Sequence, residues 1–115
     1  MLEHILGKFL VLKGVSAVTL IHRDGEVIES EETIPLNEQA VGAVVSFVLA
    51  ESAALAQGLE KDNFSMVIVE FEDLLLISSP LSDDIFIVII AGAHANIGQV
   101  SYELRKIKDE ILVNA

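Results

Sequence analysis

The sequence predicts an α+β domain in which one antiparallel sheet lies between layers of helix. Three observations lead there. Helix-spaced and strand-like apolar patterns follow one another in the order α-β-β-α-β-β-β-α. Tight turn signals join strands one and two, three and four, and four and five, so each of these pairs runs antiparallel. The fifth strand is apolar on both faces and needs cover on both sides. The long middle helix supplies one cover and the two terminal helices the other. A chain of 115 residues, 52% hydrophobic, suits a single domain spanning residues 1–115 with a real core.

Each element has its own signal. Residues 2–12 carry apolar side chains at Leu2, Ile5, Leu6, Phe9 and Leu12, which is helical spacing, and Gly14 ends that helix. Residues 17–22 form a β-branched strand. Asp24-Gly25 is a hairpin signal of the type I′ kind, with residues 26–30 as the return strand and Glu31-Glu32-Thr33 as a polar connection. Pro35 precedes a long helix over residues 36–59, with Gly58 at the C′ position and Leu59 as its apolar partner. After the loop Lys61-Asp62-Asn63 come a strand over 64–71, a turn at Glu72-Asp73, and a strand over 74–79 stopped by Pro80. The turn Ser82-Asp83-Asp84 leads to the central strand over 85–91. Asn96 caps the last helix with Gln99 at the capping-box position, and Ile97, Val100, Leu104, Ile107 and Ile111 mark its buried face.

Composition removes several functions. A net charge of -11 opposes binding to nucleic acid or to an anionic membrane, both of which need a Lys/Arg surface. Cysteine is absent, which excludes disulfides and thiolate chemistry. The start of the chain lacks the basic and apolar regions of a signal peptide, and the longest apolar run, residues 85–93, is too short to span a bilayer. The expectation is a cytoplasmic protein without membrane insertion. His4, His22 and His94 fall in separate elements, and Glu31-Glu32 and Asp83-Asp84 read as solvated turns, so no metal site is expected. Gly7-Lys8 lacks the rest of a phosphate loop, and no nucleophile elbow occurs. No catalytic residue and no cofactor are expected.

The middle helix is the unusual element. Over residues 36–59 it carries only Glu38 and Glu51 as charges. Val41, Val44, Val45, Val48, Leu55 and Leu59 share one face at helical spacing. The reverse face holds Gln39, Gly42, Ala43, Ser46, Ala50, Ala53 and Gln57, flanked by Phe47 and Leu49. A helix that is bulky and apolar on one side and small and uncharged on the other packs on both. In so short a chain the second neighbour is another protein.

Gly14-Val15 ahead of the first strand, Asp24-Gly25 at the hairpin, and the run from Ser82-Asp83-Asp84 through Ala95-Asn96-Ile97-Gly98 resemble the Roadblock/dynein light chain superfamily. The likeness covers nearly the whole chain and looks most like the small bacterial and archaeal members, among them MglB-like regulators of Ras-like GTPases. It implies a profilin-like or longin-like fold, with the strands in order 2-1-5-4-3. It also implies a homodimer made by pairing third strands and packing middle helices, whose helix platform receives a small GTPase. In the MglB-like branch the GTPase's own residues are rearranged to complete hydrolysis, and no arginine finger is supplied.

Two features of the residues agree with that implication. The small reverse face permits close approach of a twin helix, and the third strand, an edge strand in this topology, is apolar and free of proline. The expected interface is Gln39, Gly42, Ala43, Ser46, Leu49, Ala50, Ala53 and Gln57 on the helix, with Met66 and Ile68 on the strand. The expected function is a non-catalytic homodimeric scaffold or regulator of a Ras-like GTPase. The alternatives are an adaptor subunit of a larger assembly, as dynein light chains are, and a small-molecule sensor on a related fold. The sensor would need a convergent polar pocket, which the sequence does not show.

Overall fold

At the centre of the sheet lies the most apolar strand. In the computed structural model, which describes residues 1–33, 37–62 and 64–115, the elements are α1 (Leu2–Leu10), β1 (Val15–His22), β2 (Val27–Glu32), α2 (Glu38–Gly58), β3 (Val67–Glu70), β4 (Leu74–Pro80), β5 (Ile85–Gly92) and α3 (Ile97–Asn114). Pro35, Leu36 and Asn63 lie outside the described residues, as do the side chains of Glu38, Ala40 and Val44. The five strands run in the order β2-β1-β5-β4-β3, every neighbour antiparallel. This is the profilin-like or longin-like arrangement expected. β5 takes the middle because its alternating side chains are apolar on both faces, and neither set could be left in water.

The two faces are filled differently. On one, α1 and α3 lie together and bury Ile5, Leu6, Phe9, Val100, Leu104, Ile107 and Ile111 against Val18, Leu20, Leu75, Ile77, Ile87 and Ile89. On the other, α2 brings Val45 and Leu49 against Ile21, Phe86 and Val88. Polar groups on this second face are satisfied locally. Thr19 Oγ1 and Ser30 Oγ share a hydrogen bond at 3.1 Å, and Ser78 Oγ donates to the Val67 carbonyl at 3.4 Å.

The ends of the elements depart from expectation for identifiable reasons. α1 stops at Leu10, two residues early, with Val11 still in right-handed helical geometry as its cap. β2 continues through Glu31 and Glu32, which pair with Val18 and Ala17. An edge strand keeps one flank in water, so these carboxylates do not end it. The hairpin is not type I′: among the described residues only Gly25, at φ 96°, takes positive φ there. The Gly25 N–H donates to the His22 carbonyl at 2.8 Å and the His22 N–H to the Glu26 carbonyl at 2.7 Å. That is a type I turn closed by a glycine bulge, and Asp24 Oδ1 accepts the Glu26 N–H at 2.9 Å inside it.

Gly58 is the last residue of α2 but not its left-handed C′ residue. Glu60 takes the left-handed position, at φ 59°. The Lys61 N–H reaches the Ala56 carbonyl at 2.8 Å and the Glu60 N–H the Gln57 carbonyl at 3.0 Å, the paired bonds of a Schellman end two residues later than expected. β3 is four residues rather than eight, because Phe64 turns in against the α2 side of the core and Met66 against the α1–α3 side. Asn96 caps α3 as expected, its Oδ1 accepting the Gln99 N–H at 3.0 Å.

Candidate functional site

α2 is held to the sheet by a short list of contacts. Gly42 lies so close to the β1–β2 turn that a Cβ there would come within 2.8 Å of the Gly25 carbonyl oxygen. Ser46 Oγ donates to the Arg23 carbonyl at 2.7 Å, fixing the helix to the same turn. The Arg23 N–H in turn donates to the Asp84 carbonyl at 2.7 Å, so the β1–β2 and β4–β5 turns form one support under the helix. Val45, Leu49 and Ala56 complete the buried line, with Val41, Val48 and Ser52 half-buried beside it.

This phase differs from the expected one. Gly42 and Leu49, expected at an intermolecular contact, face inward, and Leu49 is only 2% exposed. Leu55 and Leu59, expected to face inward, are 63% and 61% exposed. The reason lies in the composition: with apolar residues almost all round the helix, periodicity does not single out one face. The Gly25–Gly42 approach and the Ser46 bond set the rotation instead. Gln39, Ala43, Ala50, Ala53 and Gln57 are exposed, and Ser46 is half-buried.

The outward surface of α2 is therefore an apolar strip. Ala43, Phe47, Ala50 and Ala54 follow one another at spacings of three and four, Phe47 is 67% exposed, and Leu55 flanks them. Glu51 is the charge beside them. Phe47, read from the sequence as a flank of the reverse face, is exposed in the middle of this strip. A span of 18 residues, Val41–Gly58, has a mean hydropathy of 1.5 and is long and apolar enough to cross a bilayer by length and composition. The expectation against membrane insertion rested on residues 85–93 and passed over this helix. In the fold one side of it is committed to the sheet and the Gly25 turn.

The sheet ends in β3, whose outer edge pairs with no strand among the described residues. Ile68 is 41% exposed and Phe71, just beyond the strand, 50%. Met66 is half-buried against the α1–α3 core. Phe64, ahead of β3, lines a cavity of about 220 Å³ with Ser46, Ala50 and Ala53 of α2, whereas Met66 and Ile68 lie toward the opposite, α1–α3 side of the sheet, so the structure does not bring the helix and strand parts of the expected surface together on one face.

Other groups that could carry chemistry are dispersed. Among the described residues no three His, Cys, Asp or Glu side chains are grouped to hold a metal ion. His22 Nδ1 lies 3.6 Å from Asp24 Oδ1 at the hairpin, and His94 lines a shallow groove with Lys13 and Asp73. The Glu3 carboxyl is held below the usual carboxylate range, first by a hydrogen bond from its own backbone N–H and then by the Met1 ammonium. It belongs to α1, on the far side of the sheet from α2.

Residues 1–91 match the family model of the Roadblock/LC7 domain. Among solved structures, the chain is similar to a Roadblock/LC7 domain from Streptomyces avermitilis, at 16% identity over 97% of this chain and 95% of that one, with a TM-score of 0.89. It is similar to the gliding protein MglB from Thermus thermophilus, at 20% identity over 96% and 84% of the two chains and a TM-score of 0.86. For Myxococcus xanthus MglB the identity is 16%, the coverage 96% and 90%, and the TM-score 0.87. At these identities the likeness carries the fold. No match is found among curated proteins.

Proposed function

The chain belongs to the Roadblock/LC7 domain family, and from that membership we propose that it is a homodimeric, non-catalytic regulator or scaffold that binds a Ras-like small GTPase. The observation that carries this reading is the outward strip of α2. Ala43, Phe47, Ala50 and Ala54 expose an uncharged stripe on a chain of net charge -11. A contiguous apolar surface of this kind marks an interaction site. The small side chains at three of the four positions allow two α2 helices to approach closely, with Phe47 packing between them. β3 is an edge strand of the sheet, and pairing it with its copy would satisfy backbone groups otherwise left to template aggregation.

In such a dimer the two sheets become continuous and the paired α2 helices form the platform on which the GTPase sits. Regulation then works by positioning. The platform favours one arrangement of the GTPase's own loops, and the dimer contributes contact surface instead of a reacting group. Gln39, Ala53 and Gln57 border the strip and suit its polar margin. Gly42 and Leu49, already covered within the protomer, have no part in the contact. One of the structural neighbours, MglB, is known in a tetrameric arrangement, and self-association in this fold supports the reading.

Sedimentation equilibrium at low micromolar concentration should show a dimer. Titration of that dimer with a Ras-like GTPase of the same organism, loaded with a non-hydrolysable GTP analogue, should show binding that loses on-rate as salt rises and keeps an apolar core that salt does not weaken. A soluble monomer removes the dimer. A dimer that binds no Ras-like GTPase in either nucleotide state moves the reading to an adaptor subunit.

A further inference from the structure

On the α1–α3 side of the sheet, a cleft of about 290 Å³ opens between α3 and the segment that leads into β3. One wall is a single stripe of α3, where Ser101, Leu104, Arg105 and Lys108 recur at helical spacing. Ser65 and Met66 form the facing wall, and Ser79 and Pro80 at the end of β4 form the floor with Leu81. The buried Ser79 hydroxyl donates to the Ser65 carbonyl at 2.7 Å and so holds the facing wall to β4. Met66 and the buried Leu81 and Leu104 pack in the apolar core, which fixes the bottom of the cleft.

The charge of this cleft runs against that of the chain. The sequence has 18 Asp and Glu against 7 Lys and Arg, yet no described residue lining the cleft is acidic, and Arg105 and Lys108 are cationic. Both are exposed and form no ion pair among the described residues, not even with Asp109 one turn beyond Arg105. Lys8, by contrast, is paired with Glu110 at 3.4 Å. Two like charges one helical turn apart repel each other, and an anion between them removes that repulsion. The hydroxyls of Ser65 and Ser101 are likewise uncommitted among the described residues. A guanidinium, an ammonium and two hydroxyls can together meet several oxygens of one anionic group. At a net charge of -11 the chain as a whole repels anions, so an anion retained here is held by the cleft and not by the general field.

We propose that this cleft binds a small organic anion, an apolar body carrying one phosphate or carboxylate group. The anionic group sits between Arg105 and Lys108 and accepts hydrogen bonds from Ser65 and Ser101, while the body lies on Met66, Pro80 and Leu104. The volume is close to the lower end of the roughly 300–1,000 Å³ of small-molecule sites, and two walls and a floor bound it, which suits a compact ligand better than a protein segment laid across a surface. Ser65 is far along the chain from α3, and only the fold brings it opposite Ser101 and Arg105. The cleft lies across the sheet from the outward strip of α2, so binding here needs neither the dimer nor the GTPase contact proposed above.

Amide chemical shifts of the full chain, titrated with phenyl phosphate and with phenylacetate, test the site. Both probes should move the amides of Ser65, Met66, Ser101 and Arg105 along one saturable curve. Inorganic phosphate, which lacks the apolar body, should bind at least tenfold more weakly, and benzyl alcohol, which lacks the charge, should move none of them. Arg105→Gln with Lys108→Gln changes two exposed side chains and should weaken phenyl phosphate at least tenfold. Lys13→Gln with Lys61→Gln makes the same change of charge elsewhere and should leave it unchanged. Absence of a saturable shift with either probe overturns the site. Benzyl alcohol binding as tightly as phenyl phosphate overturns the recognition of charge, and inorganic phosphate doing so overturns the apolar body. Equal weakening by the two double variants replaces the cleft with diffuse electrostatics. A tetraglutamate peptide that moves the same amides at least tenfold more tightly than phenyl phosphate assigns the cleft to an acidic protein segment and overturns the small molecule.

Discussion

On one face of the sheet two helices bury Ile5, Leu6, Phe9, Leu104 and Ile107 in a continuous apolar core; on the other a single helix buries Val45 and Leu49 and turns Phe47 and Leu55 to the outside. The central strand serves both faces alike, since β5 is buried along nearly its whole length on both sides. The difference lies in the helices. α3 separates its residues clearly, with Leu104, Ile107 and Ile111 inward and Arg105, Lys106, Lys108 and Asp109 outward. α2 keeps apolar residues on both sides. The α1–α3 layer is written to close one face against water, and α2 to hold the sheet with one side while offering the other.

Four variants test this contrast, beginning with the largest effect. Phe9→Ala empties the closed side and should cost about 3–5 kcal/mol in urea unfolding, with the association state of the surviving folded protein unchanged. If it costs no more than a surface substitution, the α1–α3 layer is not the stabilising half. Gly42→Ala drives a methyl group toward the Gly25 carbonyl and should destabilise by about 1–3 kcal/mol, the usual range for overpacking. A neutral result by the same unfolding measurement would mean that α2 slides freely on the hairpin.

Ala50→Glu should leave the protomer's fold intact by circular dichroism and break the dimer, because a charge with no partner is strongly unfavourable inside a helix–helix contact. A dimer as tight as that of the unsubstituted chain in sedimentation would free the outward strip from any role in self-association. The smallest expected effect is a gain. Glu60→Gly removes the left-handed penalty at the end of α2, offset by glycine's greater freedom when unfolded, for a net stabilisation of about 0.5–1 kcal/mol. A loss of stability would show that the Glu60 side chain contributes more than its backbone conformation costs.

The order of elements, the three tight antiparallel connections, the central place of residues 85–91 and the cap at Asn96 were all legible along the chain. Each of these depends on local chemistry: a two-residue or helical period, a turn residue, or a side chain within reach of its own backbone. α2 was equally recognisable as a two-sided helix, because a nearly charge-free surface is a property of composition. Which side of α2 meets the sheet was settled in three dimensions alone. Apolar residues almost all round leave the rotation without a phase in sequence, so Gly42 and Leu49 turned inward and Phe47 outward once Gly25 and the Arg23 carbonyl came to lie under the helix. The same holds for the hairpin at Asp24-Gly25 and the short β3. A turn type is set by the strand pairing it must close, and an edge strand ends where its neighbours are drawn into the core, as Phe64 and Met66 are.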